Sequence, residues 1–148
     1  MEHEEYMRQA LALAREALDT GDVPVGCVIA GPDGRIAGRG RNRREERGDA
    51  TAHAEVEAIR DACAHLGSWR LAGCTLYVTL EPCPMCAGAI INARIAELRY
   101  GAREEKSGCC GSVLNLFEER FNHHPRIYRG PLREECEAVL QKFFEALR

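Results

Sequence analysis

The chain has 148 residues, of which 45% are hydrophobic and 29% charged, and its formal net charge is -3. These values are typical of an ordinary globular protein and exclude a low-complexity or repeat-built chain. The small net charge also excludes a general field that attracts polyanions, so any contact with nucleic acid has to use local basic patches. We expect one domain over residues 1–148.

The N-terminus and the cysteines indicate the compartment. Residues 1–5 are mostly acidic and no long uncharged apolar run follows them, which predicts neither a secretory signal nor a membrane span. We therefore expect a cytoplasmic protein. In a reducing compartment its eight cysteines are metal ligands or small buried hydrophobes rather than a disulfide framework. Those expected in the core are Cys27, Cys63, Cys74 and Cys136.

The first half of the chain predicts a helix followed by a β-hairpin. Apolar residues at three- and four-residue steps indicate an amphipathic helix over residues 4–18. The apolar segments 23–30 and 35–38 flank the turn residues 31–34, which is typical of two paired strands. Residues 39–49 are polar and basic, and we expect a loop there.

A second helix is predicted over residues 52–66, with Asp49 or Thr51 as its N-cap and Gly67 as its end. The apolar face expected for it consists of Val56, Ile59, Cys63 and Leu66. Residues 74–80 have high strand propensity and little charge, as in a central strand that is buried on both faces.

Helices and strands alternate in the second half. A helix is predicted over residues 84–93, strands over 97–101 and 126–128, and a helical turn at 113–117. The last helix begins at Pro131, and its apolar stripe consists of Leu132, Cys136, Val139, Leu140, Phe143 and Leu147. This order predicts an α/β fold, with three α/β/α layers around a mixed sheet of about five strands.

Two short motifs carry the chemistry. The first is His53-Ala54-Glu55, and the second is Pro82-Cys83-Pro84-Met85-Cys86. One imidazole and two thiolates are three zinc ligands, one fewer than in a closed structural site, so the fourth position would be open to water. Zinc lowers the pKa of such a water towards neutrality, and Glu55, a carboxylate that is not a ligand, would move its proton. We therefore expect hydrolytic zinc chemistry.

The spacing of these residues sets a geometric condition. Cys83 and Cys86 lie one turn apart at a helix start, where unpaired N–H groups and the positive helix end favour thiolates. His53 is expected in the first turn of its helix, with Glu55 about 200° around that helix from it. The two can serve one metal ion only if their helix points its N-terminal end at the ion. Two helix N-termini should therefore converge on one site.

Two other roles of a C-x-x-C motif are a redox pair and a closed zinc site. A redox pair needs no partner motif, and a closed site needs a fourth ligand such as Cys74, Cys109 or Cys110. The accompanying His53-Ala54-Glu55 motif favours the open zinc site over both.

The chain resembles the bacterial tRNA-specific adenosine deaminases over nearly its whole length. The H-x-E and P-C-x-x-C motifs are shared by all zinc-dependent nucleobase deaminases, a class that includes this family, and they specify only the superfamily. The more extended matches are segments 22–26, 40–44, 51–55, 76–89, 100–103 with Lys106, and 122–144. The resemblance implies a cytidine deaminase-like fold, one zinc ion per subunit, a homodimer, and conversion of adenosine to inosine at the wobble position of an arginine tRNA.

Residue by residue, the resemblance implies that His53, Cys83 and Cys86 bind zinc and that Glu55 is the proton shuttle. Asn42 would hydrogen-bond the flipped adenine, a role that its amide donor and acceptor allow. The basic residues that would contact the anticodon stem-loop are Arg44, Arg103 and Lys106, together with Arg41 and Arg43. A turn-forming Asn and solvated surface charges are the alternative interpretations.

The chain departs from the family at Glu104, where Asp is common, and at Cys109 and Cys110, where small residues without sulfur are common. No departure falls in the zinc motifs.

A deaminase of free guanine, adenine or cytosine would share the metal site and is the alternative function. A zinc-stabilised binding module without catalysis is a third. The basic loop around Asn42 and the C-terminal helix favour an RNA substrate.

Overall fold

A computed structural model, which describes residues 1–147, has one mixed sheet of five strands. They are β1 (Gly26–Ala30), β2 (Ile36–Arg41), β3 (Thr75–Leu80), β4 (Glu97–Ala102) and β5 (Arg126–Arg129). Their order across the sheet is β2-β1-β3-β4-β5. Strand β1 is antiparallel to β2 and β3, whereas β3, β4 and β5 are parallel. The predicted α/β class and the number of strands are confirmed, and β3 is the central strand.

Helices cover both faces of this sheet. They are α1 (His3–Ala17), α2 (Arg44–Arg47), α3 (Ala54–Leu66), α4 (Pro84–Asn92) and α5 (Arg133–Ala146). Helices α1 and α5 pack with alternate residues of the strands on one face, and α3 and α4 pack on the other. The expected three layers are therefore present. Within residues 1–147, no helix combines the length and the apolar composition that crossing a membrane requires.

Glycines let two helices lie directly on the backbone of the sheet. A Cβ atom at Gly26 of β1 would lie 1.8 Å from the carbonyl oxygen of Ala10 in α1. On the other face, a Cβ atom at Gly38 or Gly40 of β2 would lie 2.3 Å from a carbonyl oxygen of α3. The side of α3 that faces these glycines consists of alanines, which are Ala54, Ala58 and Ala62.

We expect Gly26→Ala to lower the free energy of unfolding by at least about 1–3 kcal/mol, the usual cost of overpacking. The new methyl group would meet the backbone of α1, which cannot move aside as a flexible side chain can. Gly88→Ala in α4 is the control, because nothing lies within 4 Å of the added Cβ atom. Urea unfolding followed by circular dichroism compares the two variants, and equal stabilities would contradict the expectation.

The segment predicted as a loop over residues 39–49 is more ordered than expected. Strand β2 continues to Arg41, and α2 forms shortly after it. The N-cap residue of α2 supplies no side-chain hydrogen bond. Instead, the Asp22 carboxylate accepts the N–H of Glu45 at 2.6 Å and that of Glu46 at 3.3 Å. A helix of four residues is too short to show a periodic pattern, and its cap comes from a distant residue.

Helix α3 differs from the prediction at its start and in its buried face. Its N-cap is His53 rather than Asp49 or Thr51, and Asp49 instead accepts the N–H of Thr51 at 2.8 Å. Leu66, predicted on the buried face, is 47% exposed. The buried residues are Ala54, Glu55, Ala58 and Ala62. The prediction favoured bulky apolar side chains, whereas close contact with β2 requires small ones.

Helix α5 begins at Arg133, two residues after Pro131. Of its predicted apolar stripe, Cys136 and Leu140 are buried, whereas Leu147 is 69% exposed.

The prediction of core cysteines is confirmed for three of the four, because Cys63 is only partly buried. The three are Cys27, Cys74 and Cys136.

Candidate active site

The candidate site lies beyond the carboxyl ends of the parallel strands β3 and β4, a common position for ligand sites in α/β sheets. The chain leaves β3 and reaches Cys83, which is the N-cap of α4. Helix α3 reaches the same place with its own N-cap, His53. The predicted convergence of two helix N-termini is therefore confirmed.

His53, Cys83 and Cys86 are placed to hold one metal ion. The Nδ1 atom of His53 lies 3.7 Å from Sγ of Cys83 and 3.5 Å from Sγ of Cys86. Nitrogen and sulfur ligands of tetrahedral zinc lie about 3.6 Å apart, given their usual bond lengths. The three ligand atoms all lie within 4.8 Å of one another, and residues 1–147 contain no second such group of His, Cys, Asp or Glu.

The two thiols compete for one proton. A hydrogen bond from Cys86 is the main cause that lowers the pKa of Cys83 to about 4. The same hydrogen bond, together with burial, raises the pKa of Cys86 far above its usual range. A hydrogen bond to Cys83 also raises the pKa of His53. Because metals bind thiolates, a cation at this point would displace the shared proton.

Glu55 is the carboxyl group beside this cluster. It lies in the first turn of α3 and is 4% exposed. Burial is the main cause that raises its pKa to about 7, and the negative charge of Cys83 adds to this effect. A nearby metal cation would lower that pKa again. A carboxyl group whose pKa is tuned in this way can accept and return a proton.

A cavity of about 310 Å³ opens beside these residues. This volume is at the lower end of the range for small-molecule pockets, which suits one base better than a longer stretch of nucleic acid. His53, Glu55 and Cys83 line it on the side of the His–Cys–Cys cluster. The apolar part of its wall consists of Val23, Val25, Ala54, Leu80 and Phe144.

Asn42 lies at the cavity in a fixed orientation. Its Nδ2 donates to the carbonyl oxygen of Val23 at 3.2 Å, and its Oδ1 accepts the N–H of Arg44 at 3.1 Å. Since one neighbour accepts and the other donates, only one orientation of the amide satisfies both. The amide keeps one further N–H and one oxygen lone pair for a ligand.

The basic residues predicted to contact RNA are not equally close to the cavity. Arg44 lines it, whereas Arg103 and Lys106 are exposed on the segment after β4, here called the cavity loop (residues 103–112). That loop reaches the cavity wall with Glu104 and Ser107. Glu104 is one of the departures from the family, so this departure lies at the wall itself.

Arg41 and Arg43 are less available to an RNA backbone. A guanidinium nitrogen of each lies 2.9 Å from the carboxylate of Glu46 in an ion pair.

The other two departures from the family lie in the cavity loop, where Cys109 is buried and Cys110 is partly buried. Neither belongs to the cluster of possible metal ligands.

Two buried carboxylates at this site were not among the predicted site residues, although both lie in segments that match the family. Asp22 is 0% exposed and caps α2, which carries Arg44. Glu81 is 2% exposed and lines the cavity. Asp22 accepts hydrogen bonds from the nearby Thr20 hydroxyl and from the amides of α2, and the donors to Glu81 lie more than 20 residues further along the chain. Glu81 also directly precedes the Pro82-Cys83 motif.

We expect Asp22→Ala to lower the free energy of unfolding by about 1–2 kcal/mol, as for the loss of a helix cap. The amides of Glu45 and Glu46 would lose their acceptor and exchange faster with solvent. Asp22→Asn keeps one acceptor oxygen and should lose less. Urea unfolding and amide hydrogen exchange measure both effects, and unchanged exchange at the two amides of Asp22→Ala would disprove the capping role.

The chain is similar in sequence to known deaminases. The family model of the MafB19-like deaminases matches residues 1–148. A tRNA-specific adenosine deaminase from Bacillus subtilis (strain 168) is 48% identical over 144 residues, which cover 97% of this chain and 89% of that protein.

Two solved structures are also similar. One comes from work on A-to-I editing by tRNA:A34 deaminases at the wobble position of transfer RNA. It has a TM-score of 0.88 and 46% identity, and the match covers 93% of this chain and 99% of the other. A guanine deaminase from Bacillus subtilis has a TM-score of 0.67 and 36% identity, over 100% of this chain and 94% of the other. The chain therefore belongs to the MafB19-like deaminase family and to the tRNA-specific adenosine deaminases.

Proposed function

We propose that this protein converts adenosine to inosine at the wobble position of a tRNA anticodon by zinc-dependent hydrolysis, with an arginine tRNA as substrate. The observation that carries this proposal is the cluster of His53, Cys83 and Cys86 beside the buried Glu55, at a cavity of base size. Support for tRNA rather than a free base comes from the higher identity and TM-score with the tRNA deaminases.

The donor atoms fit zinc. One imidazole nitrogen and two thiolates are a ligand set that zinc takes in catalytic sites. His53, Cys83 and Cys86 would hold the ion, and two of them also line the cavity, so a substrate there could reach it. When bound, zinc supplies the Lewis acidity that brings the pKa of a water molecule close to neutrality.

Glu55 would move the protons of the reaction. It takes a proton from the attacking water and gives it to the adenine ring nitrogen beside the reacting carbon, C6. A second transfer through the same carboxylate protonates the departing amino group. Water adds and ammonia leaves, so adenosine and water give inosine and ammonia. The burial of Glu55 shields these transfers from bulk solvent.

Asn42 and the basic residues would bind the substrate. The free N–H and lone pair of Asn42 suit the edge of one adenine, and the orientation of the amide is already fixed. Arg44 at the cavity, with Arg103 and Lys106 on the exposed cavity loop, would meet phosphates of the anticodon stem-loop. Single-stranded loops present unstacked bases, which lets one base enter a pocket of this size.

We also propose a homodimer with one zinc ion per subunit that acts in the cytoplasm, each subunit being a single domain. The support is the family resemblance, in which both subunits contact the tRNA. Light scattering after size-exclusion chromatography should give twice the 16.5 kDa mass of one chain. A single-chain mass at micromolar concentration would contradict the dimer.

The decisive experiment uses the purified, zinc-loaded protein and an arginine tRNA anticodon stem-loop. We expect inosine at the wobble position, identified by digestion and mass spectrometry. Absence of inosine with fully zinc-loaded protein would overturn the proposal.

The 36% identity with a guanine deaminase favours a second candidate, deamination of a free base. Salt separates the two functions. Three phosphate contacts imply that RNA affinity falls about 20-fold between about 50 and 200 mM salt, whereas turnover of an uncharged free base should barely change. Turnover of free guanine with no salt dependence would support the second candidate.

A further inference from the structure

Glu81 is a buried carboxylate with an unusual set of partners. Its side chain is 2% exposed and lies between the end of β3 and the start of α4. Four donors from one segment point at it. They are the N–H of Glu104 at 3.0 Å, the N–H of Cys110 at 2.7 Å, and the N–H and hydroxyl of Ser112 at 3.2 and 2.5 Å. All four belong to the cavity loop, and both carboxylate oxygens are used.

The cavity loop approaches Glu81 so closely that a side chain would not fit between them. A Cβ atom at Gly108 would lie 2.3 Å from the carboxyl carbon of Glu81. Beside it, the N–H of Cys109 donates to the carbonyl oxygen of Pro82 at 2.9 Å. The loop is therefore held against the two residues that precede the metal-binding Cys83.

The loop contains no helix or strand, although an isolated bridge joins Cys110 to Asn115 at its end. Strand β4 ends at Ala102, and the next helical turn of the described chain begins at Leu116. Hydrogen bonds to a charged acceptor are among the stronger ones in proteins, and a buried carboxylate is stable only when its oxygens are satisfied. Glu81 meets this condition through the loop alone, so the carboxylate and the loop order each other.

The loop matters because it forms part of the cavity. Glu104 and Ser107 line the cavity, and Arg103 and Lys106 lie exposed on the same segment. A shift of this loop would therefore change the cavity wall and the placement of two cations together. The metal ligands Cys83 and Cys86 are held by α4 and would stay in place.

We propose that Glu81 is a positioning residue, whose carboxylate holds the cavity loop in the place where it receives the RNA. This inference rests on the proposed function. Glu81 moves no proton in the reaction, because its oxygens accept four hydrogen bonds. It contributes to substrate binding through the loop. Gly108 has a supporting role, because its lack of a side chain lets the loop reach the carboxylate.

Glu81→Gln and Gly108→Ala test this role. The amide keeps the size of the side chain but turns an NH2 group towards N–H donors, and the added methyl group pushes the loop away from an intact carboxylate. We expect either variant to raise KM for the anticodon stem-loop about tenfold or more, as for the loss of one to two hydrogen bonds to a charged group. Because the catalytic groups stay in place, kcat should change by less than about threefold and zinc should remain at one ion per chain.

Three further variants make the result specific. Glu81→Asp keeps the charge and should recover part of the KM, and Ser112→Ala removes one donor and should raise KM less than Glu81→Gln does. Gly88→Ala is the matched glycine control, since its added Cβ atom meets nothing within 4 Å. It should leave KM unchanged.

Amide hydrogen exchange tests the contact between Glu81 and the cavity loop without a substrate. In Glu81→Gln, we expect the amides of Cys110 and Ser112 to lose protection relative to the unmodified protein. Unchanged protection, or an unchanged KM, would overturn the inference. So would loss of zinc in the folded Glu81→Gln protein, since Glu81 would then support the metal ligands instead. Failure of the proposed function would look different, because the unmodified protein itself would form no inosine.

Discussion

Glu55→Gln is expected to reduce the rate of inosine formation by about 1000-fold, within the range of about 100- to 10,000-fold that general acid–base catalysis contributes. The amide keeps the size of a side chain that is 4% exposed, so packing should survive. It cannot accept the proton of the attacking water. His53, Cys83 and Cys86 are unchanged, and zinc content should stay at one ion per chain. Single-turnover kinetics and metal analysis measure both quantities.

Glu57→Gln is the matched control for this variant. Glu57 lies on the same helix two residues further on, and its carboxylate pairs with Arg47 at 2.5 Å rather than lining the cavity. Arg47 is 46% exposed in this pair and Glu57 12%, so the loss costs on the order of 1 kcal/mol of stability and should leave the rate within about threefold. Full activity of Glu55→Gln would refute the proton-transfer role. If the unmodified protein bound RNA without turnover, the zinc-stabilised binding module would be the better interpretation.

Cys83→Ala is expected to remove both the metal and the activity. With one of three protein ligands lost, His53 and Cys86 remain as a pair that binds zinc far more weakly. Because metal binding stabilises the folded state, the variant should also melt at a lower temperature. Zinc per chain, Tm and inosine formation are the three measurements. Treatment of the unmodified protein with a chelator should reproduce the loss, and added zinc should reverse it.

Cys109→Ala is the matched control for the metal site. Cys109 is a buried cysteine whose N–H contacts Pro82, yet it is not in the cluster of possible ligands. We expect this variant to keep one zinc ion per chain. A loss of zinc would identify a closed site with four protein ligands, and the open catalytic site would then be wrong.

The sequence was sufficient to predict that His53, Cys83 and Cys86 come together, because the parts of this cluster are local. A C-x-x-C motif at a helix start places two sulfurs on one side by helix geometry alone. The H-x-E motif then required a second helix end at the same place, and the contacts of His53 with Cys83 and Cys86 meet that requirement. Local rules also located β1 and β3, which are short, uncharged and rich in β-branched or other apolar residues, whereas the end of β2 fell in a segment predicted as a loop.

The supports of the site could not be predicted in this way. In the sequence, Asp22 and Glu81 resemble ordinary surface acids. In the fold, backbone N–H groups 23 to 31 residues away donate hydrogen bonds to them. The buried face of α3 was mispredicted for a related reason. Its alanines are selected by the glycines of β2, and a pattern within the helix does not show what the neighbouring strand allows.

The contact of α1 and α3 with strand glycines limits how this fold can change over evolution. At Gly26, Gly38 and Gly40, the nearest atoms include helix carbonyl oxygens and amide nitrogens. A side chain that clashes with another side chain can be accommodated by a second substitution that shrinks the neighbour. Backbone atoms offer no such compensation. Second-site suppressors of substitutions at these glycines should therefore be rare, and the three positions should stay fixed in any library built to alter substrate preference.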